Sequence, residues 1–160
     1  MPNTTDVVWL KVSPSLQRFD QRLIVYVSEQ VSVKQWEYRQ CQDEPSSLEQ
    51  PLWRLHEYIQ GVEQPVHLIG HSTAGLLGWL YTRHYPQRVR SLTLLGVGVY
   101  PAIDWQAHYY VQLGQMQCSR QMILRQMAYR LFGNPERYAV NGLVSILERD
   151  LESSPLPHSL

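Results

Sequence analysis

The feature that most constrains this chain is an alternation in its first 100 residues. Short β-branched or apolar runs exchange with longer segments of helical periodicity. Val7-Val8-Trp9-Leu10-Lys11-Val12 reads as a buried strand that Ser13-Pro14-Ser15 breaks. Leu16, Phe19, Leu23, Tyr26 and Val27 then recur at helical spacing. Val31 to Trp36 reads as a second strand, followed by a polar stretch from Gln40 to Ser46. Ser46 with Glu49 three residues later is a capping-box signature, which opens a helix striped by Leu48, Leu52, Leu55 and Ile59. Gly61 is expected to end that helix in the left-handed conformation. Val66-His67-Leu68-Ile69 is a third strand, and Gly70 to Gly75 a turn. Leu76, Leu77, Leu80 and Tyr81 lie on a helix that closes before Pro86. A fourth strand lies within Val89 to Val97, centred on Leu92-Thr93-Leu94-Leu95. Strand and helix at this spacing imply right-handed βαβ units on a parallel sheet. Nearly continuous apolar strands fit a sheet covered on both faces.

After Gly98 the pattern becomes helical. Asp104 reads as the cap of a helix holding Trp105, Tyr109 and Leu113. Ser119 begins another, with Ile123, Leu124, Met127, Ala128 and Leu131 on one face, stopped by Gly133-Asn134-Pro135. Val140, Leu143, Val144, Leu147 and Leu151 form a third stripe, and Ser153 to His158 reads as a loop. The expected organisation is an α/β core over residues 1–100 and a helical segment over 101–160.

Composition removes several function classes. The 160 residues carry 14 basic and 14 acidic side chains, for a formal net charge of zero. Without a concentrated basic surface, a nucleic-acid partner has no electrostatic support. No segment approaches the run of roughly 20 apolar residues that spans a bilayer. The N-terminus lacks the basic start and apolar run of a secretory signal. Cys41 and Cys118 are far apart and read as ordinary thiols of a cytoplasmic protein. The six histidines show no metal-type spacing with Cys or acidic neighbours, so no metal site is expected.

The chemistry-bearing motif is Gly70-His71-Ser72-Thr73-Ala74-Gly75 between the third strand and the next helix. A serine on so sharp a turn is exposed to an incoming group, while small flanking residues let strand and helix pass closely. The helix start directs its free N–H groups and partial positive charge at an anion formed there. That assigns Ser72 as a nucleophile and the Thr73 N–H as an oxyanion donor. The bland alternative is a small polar residue at a turn.

On these residues the chain resembles the α/β-hydrolase family. HLIGHSTAG, then HYPQRV, then SLTLLGVG look like that family's nucleophile elbow, following helix and next strand, and the likeness extends over roughly residues 7–100. The resemblance implies a partial α/β-hydrolase fold of about four parallel strands followed by a lid segment. It also implies cleavage of a small ester, thioester or amide through an acyl-enzyme at Ser72, without a cofactor. In the family a histidine activates the serine and an acid orients the histidine.

Departures from the family pattern shape the remaining expectations. Ala74 stands where the family also uses glycine. The loop Lys11-Val12-Ser13-Pro14 replaces a His-Gly type loop, leaving the Ser13 N–H as a candidate second oxyanion donor. The family strands that carry acid and histidine have no counterpart, so the chain is expected to end within the lid. Such a chain would be inactive, or would depend on something outside it. Asp104 and His108 are the local candidates for acid and base, beside the blander readings of a helix cap and a lid residue. His71 is expected to pack near the site, His84 to be structural, and His56 to share a half-buried face with Trp53. Trp105, Tyr109 and Tyr110 read either as an acyl pocket under a lid or as an aromatic helix packing on the core. A fourth strand without an outer neighbour is a route to self-association. The other reading of the whole is a non-catalytic α/β-hydrolase-like binding or scaffold protein.

Overall fold

The computed structural model describes residues 7–12, 14–40, 47–97 and 105–153. The chain divides into two compact units, Met1–Val99 and Tyr100–Leu160. The first contains strands β1 (Val7–Lys11), β2 (Val33–Glu37), β3 (Val66–His71) and β4 (Val89–Leu95) and helices α1 (Gln17–Ser28), α2 (Glu49–Gln60) and α3 (Thr73–His84). All strand pairs are parallel, in the order β2-β1-β3-β4. The chain therefore leaves β1 outward to β2, then crosses back to β3 on the other side. The reversal lies between β1 and β3, where open α/β sheets place their ligand crevice at the carboxyl ends of the strands.

Register sorts the side chains. Val8 lies beside Leu68, and Leu10 beside Gly70 and Trp36. These residues face α2 and α3, forming a core with Leu55, Ile59, Val66, Ala74, Leu77 and Tyr81. Gly78 brings α3 close to the sheet, since a Cβ there would meet Leu92 and Leu10 at 3.0 and 3.1 Å. Trp9, on the opposite face, is also fully buried.

Two local expectations need correction. Gly61 caps α2 with φ −73°, so the chain turns off through ordinary right-handed backbone rather than a left-handed residue. Along α1 the buried residues are Asp20 and Ile24, while Leu23 and Tyr26 are 42% and 65% exposed. The inward face is thus rotated from the apolar stripe, because it is aligned on polar partners offered by β1 and β3. Ser46 lies outside the described residues; at the start of α2 the Ser47 Oγ accepts from the Glu49 N–H at 3.1 Å.

The second unit contains α4 (Trp105–Gln115), α5 (Arg120–Phe132) and α6 (Arg137–Ser153). Ser119 caps α5 by accepting from the Met122 N–H at 3.3 Å. Gly133, at φ +55°, ends it. The core is built from Tyr109, Ile123, Leu124, Met127, Ala128, Val140, Val144 and Leu147, with Trp105 packed against it. A buried bond of 2.8 Å from Gln106 Nε2 to Asp150 Oδ2 ties α4 to α6. Among the described residues, no helix is long and apolar enough to cross a membrane.

Candidate active site at the end of the third strand

β3 ends at His71 and α3 begins at Thr73, so the whole reversal falls on Ser72. Its backbone sits at φ 54°, ψ −125°. A residue with a Cβ adopts positive φ only where its surroundings enforce it. Here the enforcement is visible. The Ser72 N–H donates to the Leu95 carbonyl at 2.9 Å, and the Ser72 carbonyl accepts from Leu76 N–H at 3.1 Å. A Cβ on Gly70 would stand 2.6 Å from both the Ala74 oxygen and Gly75 Cα. A Cβ on Gly75 would stand 2.7 Å from the Gly70 oxygen and would collide with Val97. The close approach therefore joins Gly70 to Gly75, while Ala74 is simply buried in the core. Ser72 and Thr73 remain half-buried, within reach of solvent. The first N–H groups of α3, Thr73's among them, have no acceptor within the helix and favour negative charge at its start.

Directly before the serine stands a histidine–carboxylate hydrogen bond that periodicity did not reveal. His71 Nδ1 lies 2.8 Å from Asp20 Oδ1, and Trp9 Nε1 donates to Asp20 Oδ2 at 3.3 Å. Asp20 is only 9% exposed. Its hydrogen bond to the ring raises the His71 pKa above the ordinary histidine value, and its negative charge adds to this; partial burial opposes both. In neutral His71 the proton belongs on Nδ1, which leaves Nε2 as an acceptor. On the ring's other side lies Gly96, at φ +57°, where a Cβ would come within 3.2 Å of Nε2. A signal for Asp20 does exist in the sequence. It is the residue four before Ile24, on the face that α1 buries.

The carboxyl ends of the neighbouring strands are also charged. Lys11, buried at the end of β1, pairs in register with Glu37 of β2. Arg39 Nε lies 2.6 Å from Glu37 Oε1. This bond holds the Glu37 carboxyl below its usual range, against a partial burial penalty, with smaller help from Gln17 and Lys11.

Of the sequence-derived candidates, Ser72 and Thr73 meet at the elbow. Ser13 and Asp104 lie outside the described residues. His108 is exposed on α4, in the other unit. Tyr109 is buried in the helical core with Trp105 against it, whereas Tyr110 is 41% exposed. His84 Nδ1 donates to the Leu80 carbonyl at 2.8 Å, and His67 Nδ1 lies 2.5 Å from Ser91 Oγ. His56 bonds the Tyr81 hydroxyl at 3.3 Å, and Trp53 is exposed beneath Arg54 instead of sharing its packing. Among the described residues, no group of three or more His, Cys, Asp or Glu side chains is arranged to hold a metal ion.

Comparison with known proteins supplies three findings. A family model described as alpha/beta hydrolase fold matches residues 50–129. An uncharacterized protein of Synechocystis sp. is 50% identical over all 160 residues, and one of Nostoc sp. is 44% identical over the same span. The chain covers 64% of the length of each. A crystal structure titled as a hydrolase from Pseudomonas aeruginosa superposes with a TM-score of 0.56 at 19% identity. That match covers 91% of this chain and 59% of the other, and at such identity it speaks for the fold alone.

Proposed function

The chain belongs to the α/β-hydrolase fold family, and from that premise we propose that it is the nucleophile-bearing part of a serine hydrolase. The substrate is a small ester, thioester or amide. The single observation that carries the reading is the backbone of Ser72, a non-glycine residue held at φ 54° between a strand and a helix start. Backbone strain of this kind costs on the order of 1–3 kcal/mol and recurs at functional sites.

Ser72 Oγ attacks the substrate carbonyl carbon and gives its proton to a histidine. The resulting oxyanion lies at the start of α3, where the Thr73 N–H donates to it and the Ser13 N–H is the candidate second donor. Collapse of the tetrahedral intermediate expels the alcohol, thiol or amine with that proton. Water then releases the acid from Ser72 by the same route in reverse order. Each oxyanion donor contributes about 3–4 kcal/mol to such a transition state. Asp104 and His108 stay as candidates for acid and base, and sequence beyond these 160 residues is the other source. Residues 101–160 act as a lid segment, the free edge of β4 is a surface for self-association, and the site of action is the cytoplasm.

One observation favours a second reading, a non-catalytic binding or scaffold role. His56, His67, His71 and His84 each bond a group other than Ser72. A fluorophosphonate probe separates the two. The hydrolase reading expects covalent labelling of the chain that Ser72→Ala abolishes, together with ester turnover lost in the same variant. No labelling of a folded chain, with small apolar ligands bound equally by wild type and Ser72→Ala, would select the binding role.

A further inference from the structure

The acyl-transfer scheme leaves one pair of ionisable groups at the elbow unused. Asp20 and His71 are 51 positions apart in sequence, yet their side chains meet at 2.8 Å. The bond joins α1 to the last residue of β3, one position before the serine. Asp20's other oxygen is held by Trp9 Nε1 from β1. The far edge of the imidazole rests against Gly96, just past β4, at a site where a Cβ would press on the ring. Three strands and a helix therefore fix one ring at the entrance to the strained residue. Packing alone does not explain this. A buried carboxylate is costly unless donors satisfy it, and an apolar pair would hold α1 on the sheet as well.

We propose that Asp20 and His71 are a positioning pair: they lock the entry to the elbow and hold a titratable imidazole edge beside Ser72, so that the charge on His71 sets how readily the serine reacts. The claim about reactivity rests on the hydrolase reading above; the claim about the elbow does not. Protonation of His71 adds one positive charge on the residue directly before Ser72, so the field at the elbow becomes more favourable to the negative charge that develops during attack. The titratable neighbours from the packed elements are Asp20 on α1, Lys11 at the end of β1 and, paired to it, Glu37 of β2. β4 contributes Leu95, followed by Gly96 just past its end. Glu37 is held by Arg39 at 2.6 Å, and of these groups Asp20 is the one whose charge acts on the His71 ring.

The test follows His71 by NMR while fluorophosphonate labelling of Ser72 is timed from about pH 5.5 to about 9, the range over which a histidine titrates. Wild type, Asp20→Asn and His71→Gln are compared. The expected His71 midpoint lies above the ordinary value in wild type and falls in Asp20→Asn. Labelling is expected to slow by about threefold or more as His71 loses its proton, the factor one nearby charge exerts even under solvent-like screening. His71→Gln keeps an N–H donor for Asp20 but cannot titrate, so its labelling should lack that step. The amide signals of Ser72, Thr73 and Gly96 should move with the His71 midpoint in wild type and stay still in His71→Gln. Absence of labelling in wild type would overturn the hydrolase reading alone, because the amide signals still judge the pair. A His71 midpoint indifferent to Asp20→Asn, or elbow amides that ignore His71, would overturn the pair. If Asp20→Asn does not fold, the wild-type and His71→Gln curves decide by themselves.

Discussion

The two ends of the sheet each hold a histidine among polar partners, and they use it differently. At the amino ends of β3 and β4, His56 stacks on Tyr85 with ring centroids 3.8 Å apart. Gln60 Nε2 donates to its Nε2 at 2.9 Å, which leaves Nδ1–H for the Tyr81 hydroxyl. Tyr81 is fully buried, and Arg88 closes the end of α2 by donating to the carbonyls of Ile59 and Val62. The His56 ring and the Arg88 guanidinium tip are both engaged there by fixed partners. At the carboxyl ends, His71 bonds the Asp20 carboxylate, its neighbour Ser72 is held at positive φ, and Ser72 and Thr73 are half-buried. The amino end ties helices to the sheet, while the carboxyl end carries the strained turn, where the switch-point rule for open α/β sheets places a ligand crevice.

Substitutions can break that contrast, beginning with the largest effect. Tyr81→Ala should lower stability by about 3–5 kcal/mol through loss of a buried aromatic ring, measured by urea denaturation. Gly70→Val at the other end should cost about 1–3 kcal/mol from overpacking, and should also stop probe labelling of Ser72. Retained labelling would show that the elbow does not need its close Gly70–Gly75 approach. Tyr81→Phe keeps the ring and removes one hydrogen bond, so about 1 kcal/mol is expected.

Two pH responses sharpen the comparison. Burial pushes the Tyr81 hydroxyl up to about 12 from its usual 10.0. A folded pKa above the unfolded one means the folded state keeps its proton longer. The contribution is complete below about pH 10 and is lost as pH rises toward about 12. Tyr81→Phe should remove that alkaline loss. His71 obeys the same sign in a lower window, because Asp20 raises its pKa. Its contribution is complete below the unfolded value of about 6.5 and fades as pH climbs through the raised folded value. Wild-type urea midpoints should therefore fall across that window, and Asp20→Asn should flatten the fall. An unchanged slope in Asp20→Asn would mean that the pair does not couple to folding.

The elbow was legible in the sequence because its requirements are local. Small residues at Gly70, Ala74 and Gly75, an apolar strand before and a helix after are all contiguous. The same holds for the Ser119 cap and the Gly133 stop. Asp20 was not legible in this way. Reading α1 by its apolar residues favoured Leu23 and Tyr26, which the structure leaves exposed. Only when β1 and β3 lie side by side do Trp9 and His71 present the two donors that make a buried carboxylate tolerable.

The sequence by itself determined the alternation of strands and helices, the parallel sheet, the family resemblance and the turn that carries Ser72. Those follow from periodicity and from what backbone conformation each residue type allows within a few positions. Tertiary structure decided the strand order, the face on which α1 packs and the charge beside the serine. Each depends on residues brought together across register, and a carboxylate's burial is favourable only once its distant partners are in place.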